Sequence, residues 1–266
     1  MPKEIDLLIK SGKLYDGTGG KPLEADIAVA GERIAFVSGP AQYPEKNAKR
    51  VLRAEGLSVA PGFIDAHSHS EFTLLADNRA EGKVFQGVTT EINGNCGLSA
   101  APLYGEALEH READLNELGI KERLSDIKDY FSLLERNGIP VNFATLAGHG
   151  NIRASVAGYG NKKADETEMQ KMCSLLHAAV KQGAIGISTG LIYPPGVYSG
   201  TEELIALSKS ISGLIYTSHM RSEGNELIES INEAIRVGIE SGISVHISHI
   251  KTSGKANWHK IDDAIS

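Results

Sequence analysis

The chain has 266 residues, enough for one large domain or for one domain beside a smaller one. Hydrophobic residues make up 41% and charged residues 23%, which is typical of globular proteins, and the two cysteines make a disulfide framework improbable. A formal net charge of -7 without a Lys/Arg cluster argues against nucleic-acid binding, and no apolar run is long enough to span a membrane. We therefore expect a cytoplasmic protein without nucleic-acid or membrane partners.

Residues 1–61 predict a small all-β unit. Short alternating segments are separated there by Gly, Pro and polar turns, and no long helical periodicity is present. The segment AGERIAFV is typical of a hairpin with Gly31 and Glu32 near its turn.

Residues 62–266 have a different sequence pattern, in which short apolar runs alternate with helix-length amphipathic stretches. The apolar runs are GFIDAHSH, GVTTEING, PVNFATLAGH, AIGISTGLIY, LIYTSHM and ISVHISHI. Repeated βα units predict a parallel sheet, and strands that are apolar on both faces favour a (β/α)8 TIM barrel. Only about six βα units are recognisable, against the eight of a closed barrel. We therefore expect this chain to be the N-terminal part of a longer protein, with the C-terminal strands missing.

Several of the amphipathic stretches carry helix-boundary residues. Asp165 and Glu168 have the spacing of a capping box, and Gly183 is placed to close that helix. Thr201 is the expected cap of TEELIALSK, and EFTLLADNRAEGKVFQ, residues 71–86, has the length of a helix.

Five metal-ligand side chains fall at or near the ends of the predicted strands. His67 and His69 are two residues apart, and alternating side chains in a strand would direct both to one side. Cys96, His219 and His249 follow later apolar runs, and active sites of barrels lie at the C-terminal ends of their strands. Imidazole and thiolate are the donors that zinc prefers, so these five residues predict one shared metal site.

Further residues near these strand ends are candidates for the site or for packing. Alternation along ISVHISH predicts that Ile247 and His249 share one face and that His246 faces the helices on the other. Lys251 could pair with a substrate carboxylate, and a solvated surface lysine is an equal alternative. Arg221 and Glu223, in SHMRSEG, have the same status. His149 ends the third run and is predicted to line the pocket or to support a ligand, with a structural role equally open.

The chain resembles the amidohydrolase superfamily, and within it the D-aminoacylase or N-acyl-D-amino-acid deacylase group. The matching segments are PGFIDAHSHS, GVTTEINGNCGLSAAP, GISTGLIYPPGVYSGTEEL, YTSHMRSEG and HISHIKTSG. The HxH pair marks only the superfamily, whereas NGNCG and STGLIYPPG are more specific to this group. The resemblance covers essentially the whole chain.

The resemblance implies a small N-terminal β-sandwich beside a distorted (β/α)8 barrel. It also implies one tight Zn²⁺ site at Cys96, His219 and His249. A second, weaker site would use His67 and His69, with Cys96 as a bridge. Many relatives carry a carboxylated lysine on the fourth strand, but AIGISTGLIY has none, so the cysteine would take over the bridging.

The function implied by the resemblance is a zinc-dependent hydrolase that removes the acyl group from N-acyl-D-amino acids by attack of a metal-bound hydroxide. Leu191 and Tyr193 are predicted to line the side-chain pocket, and Lys251 to anchor the substrate carboxylate. The family's catalytic aspartate comes from the eighth strand, and neither Asp262 nor Asp263 matches its motif. We expect that aspartate beyond Ser266, so neither the activity nor the stability of this chain alone follows from the resemblance.

Two alternatives remain open at the level of the sequence. One is a cyclic amidase of the dihydroorotase or hydantoinase type, although the lack of a fourth-strand lysine argues against it. The other is a non-catalytic metal-binding protein.

Overall fold

Two structural units follow one another along the chain, Met1–Gly62 and Phe63–Ser266. They are taken from a computed structural model that describes residues 4–40 and 42–266. Among these residues, no helix combines the length and hydropathy that crossing a lipid bilayer requires.

The first unit is built around a five-stranded sheet. Its strands are β1 (Ile5–Leu14), β2 (Leu23–Ala30), β3 (Arg33–Ser38), β4 (Ala48–Arg53) and β5 (Ser58–Val59). The order is β3-β2-β1-β4, with β5 also on β1; β1, β2 and β3 run antiparallel, whereas β4 and β5 are parallel to β1. The β2–β3 turn contains Gly31, whose φ of 57° lies in the left-handed region that glycine tolerates, so the predicted hairpin is confirmed. Ile5, Leu8 and Ala28 are fully buried in this unit.

The second unit contains parallel strands paired in sequence order. They are β6 (Phe63–Asp65), β7 (Val88–Asn93), β8 (Asn142–Thr145), β9 (Ala147–Gly148), β10 (Gly186–Gly190), β11 (Ile215–His219) and β12 (Ser244–Ile247). One sheet has the order β6-β7-β8 and the other β9-β10-β11-β12. The third apolar run supplies both β8 and β9, so it pairs with β7 on one side and β10 on the other. Each of the six predicted runs thus contains a strand.

Helices connect these strands. They are α1 (Thr73–Ala76), α2 (Glu81–Val84), α3 (Gly105–Glu117), α4 (Ile127–Asn137), α5 (His149–Ala157), α6 (Glu166–Lys181), α7 (Thr201–Ser210), α8 (Leu227–Ser241) and α9 (Ile261–Ile265). On α6, Met172, Leu176 and Ala179 share one face and are at most 2% exposed. They pack with Ile187 of β10 in the main hydrophobic core. Burial of a side chain the size of leucine contributes about 1.5–3 kcal/mol, so this contact fixes α6 against the strands.

The observed helix boundaries agree with the predicted caps at some positions and differ from them at others. The capping box at α6 is confirmed: the Asp165 carboxylate accepts from the Glu168 backbone N–H at 2.8 Å, and Glu168 accepts from the Asp165 N–H at 3.0 Å. The prediction for Thr201 is wrong, because Gly200 is the N-cap and the Thr201 hydroxyl instead donates to Glu233.

The helix predicted over residues 71–86 is also wrong, because the chain forms two four-residue helices there. The carboxylate of Asp77 accepts hydrogen bonds from the backbone and the guanidinium of Arg79. Such local side-chain bonds compete with the helical hydrogen bonds, and they separate α1 from α2.

Candidate metal centre

The five metal-ligand residues predicted from the sequence come together at the C-terminal ends of β6, β7, β11 and β12. Two sets have donor atoms within 4.8 Å of one another, namely His67, His69 and Cys96, and Cys96, His219 and His249. The Cys96 Sγ lies 3.3 Å from Nε2 of His67 and 3.6 Å from Nε2 of His249. Cys96 therefore belongs to both sets, and a single thiolate could touch two metal ions.

His67 and His69 reach the site from the segment that follows β6. The assigned strand ends at Asp65, but the Ser68 N–H still donates to the Ile92 carbonyl of β7 at 3.0 Å. The Ser68 hydroxyl is buried and donates to Glu91, at 3.2 Å, while the two imidazole rings lie with their centroids 5.2 Å apart. Alternation thus continues beyond the strand and leaves both histidines on the side opposite to Ser68.

Cys96 is held by a loop that packs against β10. Its backbone has a φ of 54°, and its carbonyl accepts a hydrogen bond from the Tyr193 hydroxyl at 2.9 Å. The neighbouring Gly97 N–H donates to the Ser188 hydroxyl at 3.0 Å. A Cβ on Gly97 would lie 2.7 Å from the backbone nitrogen of Gly190, so only glycine allows this approach. These contacts fix the position of the thiol.

His249 reaches the site by a route that strand alternation does not describe. β12 ends at Ile247, and His249 has a left-handed φ of 38°. Val245 and Ile247 pack against the main core, so the prediction that Ile247 and His249 share a face is wrong. Val245 faces α8, because a Cβ on Gly238 of that helix would lie 2.5 Å from its side chain. The next residue, His246, therefore points away from the helices, and the prediction that it faces them is wrong as well.

The electrostatics of the cluster favour neutral imidazoles. Burial, followed by the nearby His249 and His69, lowers the pKa of His67 to about 4. Burial also lowers the pKa values of His69 and His219, and it raises the pKa of the Cys96 thiol. A neutral imidazole has a free lone pair for a metal, and a nearby metal ion would in turn stabilise the thiolate.

The donor set fits a borderline-soft divalent ion such as zinc. Nε2 of His219 is buried without a hydrogen-bond partner among the residues that the structure describes. A buried polar nitrogen without a partner is costly, and metal coordination would satisfy such an atom. Histidine nitrogen and cysteine sulfur are the donors that zinc prefers.

The metal-ligand cluster lies at one wall of a cleft of about 670 Å³. Tyr193, which was predicted to contact the substrate, lines this cleft, and its ring centroid lies 5.3 Å from that of His219. Phe72 and Arg111 also line it, with the guanidinium 5.4 Å from the phenyl centroid. The cleft therefore combines metal donors, aromatic surface and one cationic group.

Three other residues predicted at the substrate site are engaged elsewhere. Leu191 is 1% exposed and packs in the main hydrophobic core. His149 is fully buried as the first residue of α5, and its Nε2 lies 2.8 Å from Glu203. Arg221 forms a two-point ion pair with Glu233 and donates to the carbonyls of Val197 and Ser199. Core packing thus holds Leu191 and these polar partners hold the other two, and contact of the three with a substrate stays a prediction.

Two carboxylates lie next to the cluster, of which sequence reasoning weighed Glu223 together with Arg221 and missed Glu71. Glu71 is buried, accepts from the Gly94 N–H at 2.7 Å, and has a pKa raised to about 7, mainly by burial. Glu223 is also buried, with Oε1 3.2 Å from Nδ1 of His249, and it forms an ion pair with Lys251. Their spacing from the histidines, two residues after His69 and four after His219, is the only signal that the sequence carries.

Comparisons with known proteins find similar sequences and similar solved structures. The chain is 38% identical over 256 residues to the D-aminoacylase of Alcaligenes xylosoxydans xylosoxydans, covering 96% of this chain and 52% of that protein. It superposes with a TM-score of 0.90 and 32% identity on an N-acyl-D-glutamate deacylase of Bordetella bronchiseptica, solved with zinc and a phosphonate inhibitor. A D-aminoacylase with a binuclear metal center gives a TM-score of 0.89 at 35% identity. Each superposition covers 98% of this chain and 55% of the other.

The chain spans about half the length of the curated relatives it matches. Residues 50–207, more than half of the sequence, match the model of the amidohydrolase family. The mixed α/β architecture and its parallel strands agree with that match. This chain belongs to the amidohydrolase family.

Proposed function

We propose that the protein is a zinc-dependent deacylase that hydrolyses N-acyl-D-amino acids to a carboxylate and a D-amino acid. The observation that carries the proposal is the position of Cys96, whose sulfur lies beside histidines from both donor sets. Similarity to a D-aminoacylase and to two N-acyl-D-amino-acid deacylases, at 36–38% identity, supports the reaction class.

The proposed architecture is a (β/α)8 barrel with an N-terminal β-sandwich. Within the two sheets, the strands from β6 through β12 pair with their neighbours in sequence order, and every pair is parallel. This is the connectivity expected of consecutive barrel strands. The ligand residues follow the C-terminal ends of these strands, where barrel enzymes carry their active sites. The sheet of the first unit would form one layer of the sandwich.

Within this proposal, Cys96, His219 and His249 hold one zinc ion tightly. His67 and His69 contribute to a second, weaker site that shares Cys96. When bound, zinc lowers the pKa of a coordinated water and polarises a carbonyl oxygen, which is the chemistry that amide hydrolysis requires.

The chain's own residues supply the binding surface. The Tyr193 ring forms one wall next to His219, and its hydroxyl holds the carbonyl of Cys96. Lys251 is about half exposed and lies beside His249, so its ammonium can receive the substrate carboxylate if it exchanges its ion pair with Glu223. We expect the proton acceptor of the reaction from the aspartate that the family resemblance assigns to an eighth strand.

The test is hydrolysis of N-acetyl-D-amino acids by the full-length zinc-loaded protein. The substrate panel includes D-leucine, D-aspartate and D-glutamate derivatives, with the L-enantiomers, hydantoin and dihydroorotate as controls. We expect turnover of at least one D-substrate and none of the controls. No turnover of any N-acyl-D-amino acid would contradict the deacylase, and preferred turnover of a ring amide would establish the cyclic amidase instead.

A further inference from the structure

The two ring nitrogens of His249 face different partners. Nε2 lies 3.6 Å from the Cys96 sulfur, on the side of the other metal donors. Nδ1 lies 3.2 Å from Oε1 of Glu223 and 3.0 Å from Nζ of Lys251. A neutral imidazole carries its proton on only one nitrogen. The partner of Nδ1 therefore decides whether Nε2 keeps a free lone pair.

The two neighbours of Nδ1 favour opposite tautomers. A carboxylate accepts hydrogen bonds, so Glu223 favours a proton on Nδ1 and leaves Nε2 free to bind a metal. A lysine ammonium only donates, so Lys251 favours an unprotonated Nδ1 and puts the proton on Nε2, where it blocks coordination. Metal binding through Nε2 thus depends on which neighbour prevails.

The structure gives Glu223 the better-defined position. The Glu223 side chain is 10% exposed, whereas the Lys251 side chain is 51% exposed. The backbone carbonyl of Glu223 accepts a hydrogen bond from the Ser253 N–H at 2.6 Å, which ties it to the segment that follows β12. The same Oε1 lies 3.6 Å from Nε2 of His219 and also holds the Lys251 ammonium. One carboxylate oxygen therefore lies beside two candidate ligands and the predicted substrate anchor.

We propose that Glu223 is a positioning residue that holds His249 in its metal-binding tautomer and keeps Lys251 from reversing it. This inference rests on the proposed metal centre but is independent of the substrate. It also gives Lys251 two roles that exclude each other: a substrate carboxylate that takes the ammonium leaves Glu223 entirely to the imidazole. Binding of the substrate carboxylate to Lys251 and binding of the metal by His249 would then reinforce one another.

The test is the zinc affinity of the purified chain, measured by competition with a chromogenic chelator. Loss of a carboxylate that supports a metal-binding histidine typically weakens metal affinity by about 10–100-fold, and we expect a loss of that size in Glu223→Ala. Glu223→Gln keeps the shape and we expect an intermediate loss. In Glu223→Ala/Lys251→Met the opposing ammonium is gone as well, and part of the affinity should return. Glu226→Ala is the matched control, because Glu226 is exposed in the same loop, and its side chain makes no capping hydrogen bond to α8.

A second measurement reads the tautomer itself. The ¹⁵N chemical shifts of His249 in the metal-free chain should report a proton on Nδ1 in wild type and a population shift toward Nε2–H in Glu223→Ala. Circular dichroism checks that each variant is folded. If Glu223→Ala is not folded, the comparison is made with Glu223→Gln.

The outcomes separate this inference from the deacylase proposal. Zinc affinity within twofold of wild type in both Glu223 variants, or an unchanged tautomer, would overturn the positioning role even if the protein hydrolyses N-acyl-D-amino acids. A selective loss of zinc affinity in the Glu223 variants would support it even if no such substrate is turned over. A wild-type chain that binds no zinc would overturn the inference and the metal centre together.

Discussion

Cys96 and His249 lie 153 positions apart in the sequence, yet their Sγ and Nε2 atoms are 3.6 Å apart and both residues have left-handed backbone conformations. The φ angles are 54° for Cys96 and 38° for His249. Non-glycine residues adopt this region at a cost of about 1–2 kcal/mol each. Neither backbone conformation is the most stable one for an isolated residue. The surrounding structure therefore holds both residues in these conformations, which place their side chains against each other.

This strain predicts a stability difference between two variants that both lack the imidazole. We expect His249→Gly to be more stable than His249→Ala by about 1 kcal/mol, because glycine adopts a φ of 38° without a Cβ clash. Urea unfolding of the metal-free variants measures the difference. Equal stability of the two variants would indicate that the backbone at 249 is not strained.

The close approach of Gly97 to β10 predicts a large effect of one added methyl group. Gly97→Ala combines a φ of 75° with a Cβ only 2.7 Å from the Gly190 nitrogen, so we expect a loss of roughly 2–5 kcal/mol together with displaced Cys96 and weakened zinc binding. Gly160→Ala is the control, since a Cβ there meets nothing within 4 Å. Thermal unfolding and zinc titration check both effects. A stable, zinc-binding Gly97→Ala would refute the packing argument.

A buried ion pair supports the segment that follows β9. Arg153 is fully buried, with Nε 3.0 Å from Oε1 of Glu203, and the same oxygen contacts His149. We expect Glu203→Leu to cost about 3–5 kcal/mol, because it leaves the Arg153 charge buried without its partner. The double variant Glu203→Leu/Arg153→Met should be less destabilised than Glu203→Leu alone. A double variant that is as unstable as the sum of the two single changes would contradict this.

The same pair predicts how stability depends on acid pH. Burial alone would raise the pKa of Glu203, but the hydrogen bond to His149 and the charge of Arg153 outweigh it and hold the pKa below the usual 4.5. A carboxyl whose pKa is lower in the folded state stabilises the fold above its unfolded pKa, and that contribution is lost as the pH falls through the folded value. Wild type should therefore lose stability below about pH 4.5, and Glu203→Leu should lose less over that range. Denaturation curves from pH 7 to pH 3 provide the comparison.

Much of the second unit could be predicted from its apolar runs. All six runs contain strands, and Asp165 caps α6 as its capping-box spacing with Glu168 indicates. The sequence also predicted the five residues that converge at the candidate metal centre, because ligand-type side chains followed consecutive strands. The polar helix α3 was missed, since only Ala107 and Leu115 are buried on it and it has almost no apolar face.

The errors arise where tertiary contacts or backbone conformation override a local pattern. Strand alternation gave the wrong faces for His246 and Ile247, because β12 ends before the left-handed His249. Arg221 was weighed as a substrate contact or a solvated cation, and its ion pair was not foreseen because Glu233 on α8 lies too far along the chain to be recognised as its partner. Glu223 was weighed with Arg221 as a site or a surface residue, but no spacing rule predicts that it faces Nδ1 of His249.

The central claim is that one thiol unites the two donor sets, and metal analysis of Cys96→Ala tests it most directly. Cys173→Ala is the matched control, because that second free cysteine is half-buried on α6, away from the donor sets. After zinc loading and dialysis, we predict that Cys96→Ala loses most of its tightly held zinc while Cys173→Ala keeps the wild-type content. Full zinc retention in a folded Cys96→Ala protein would contradict the account.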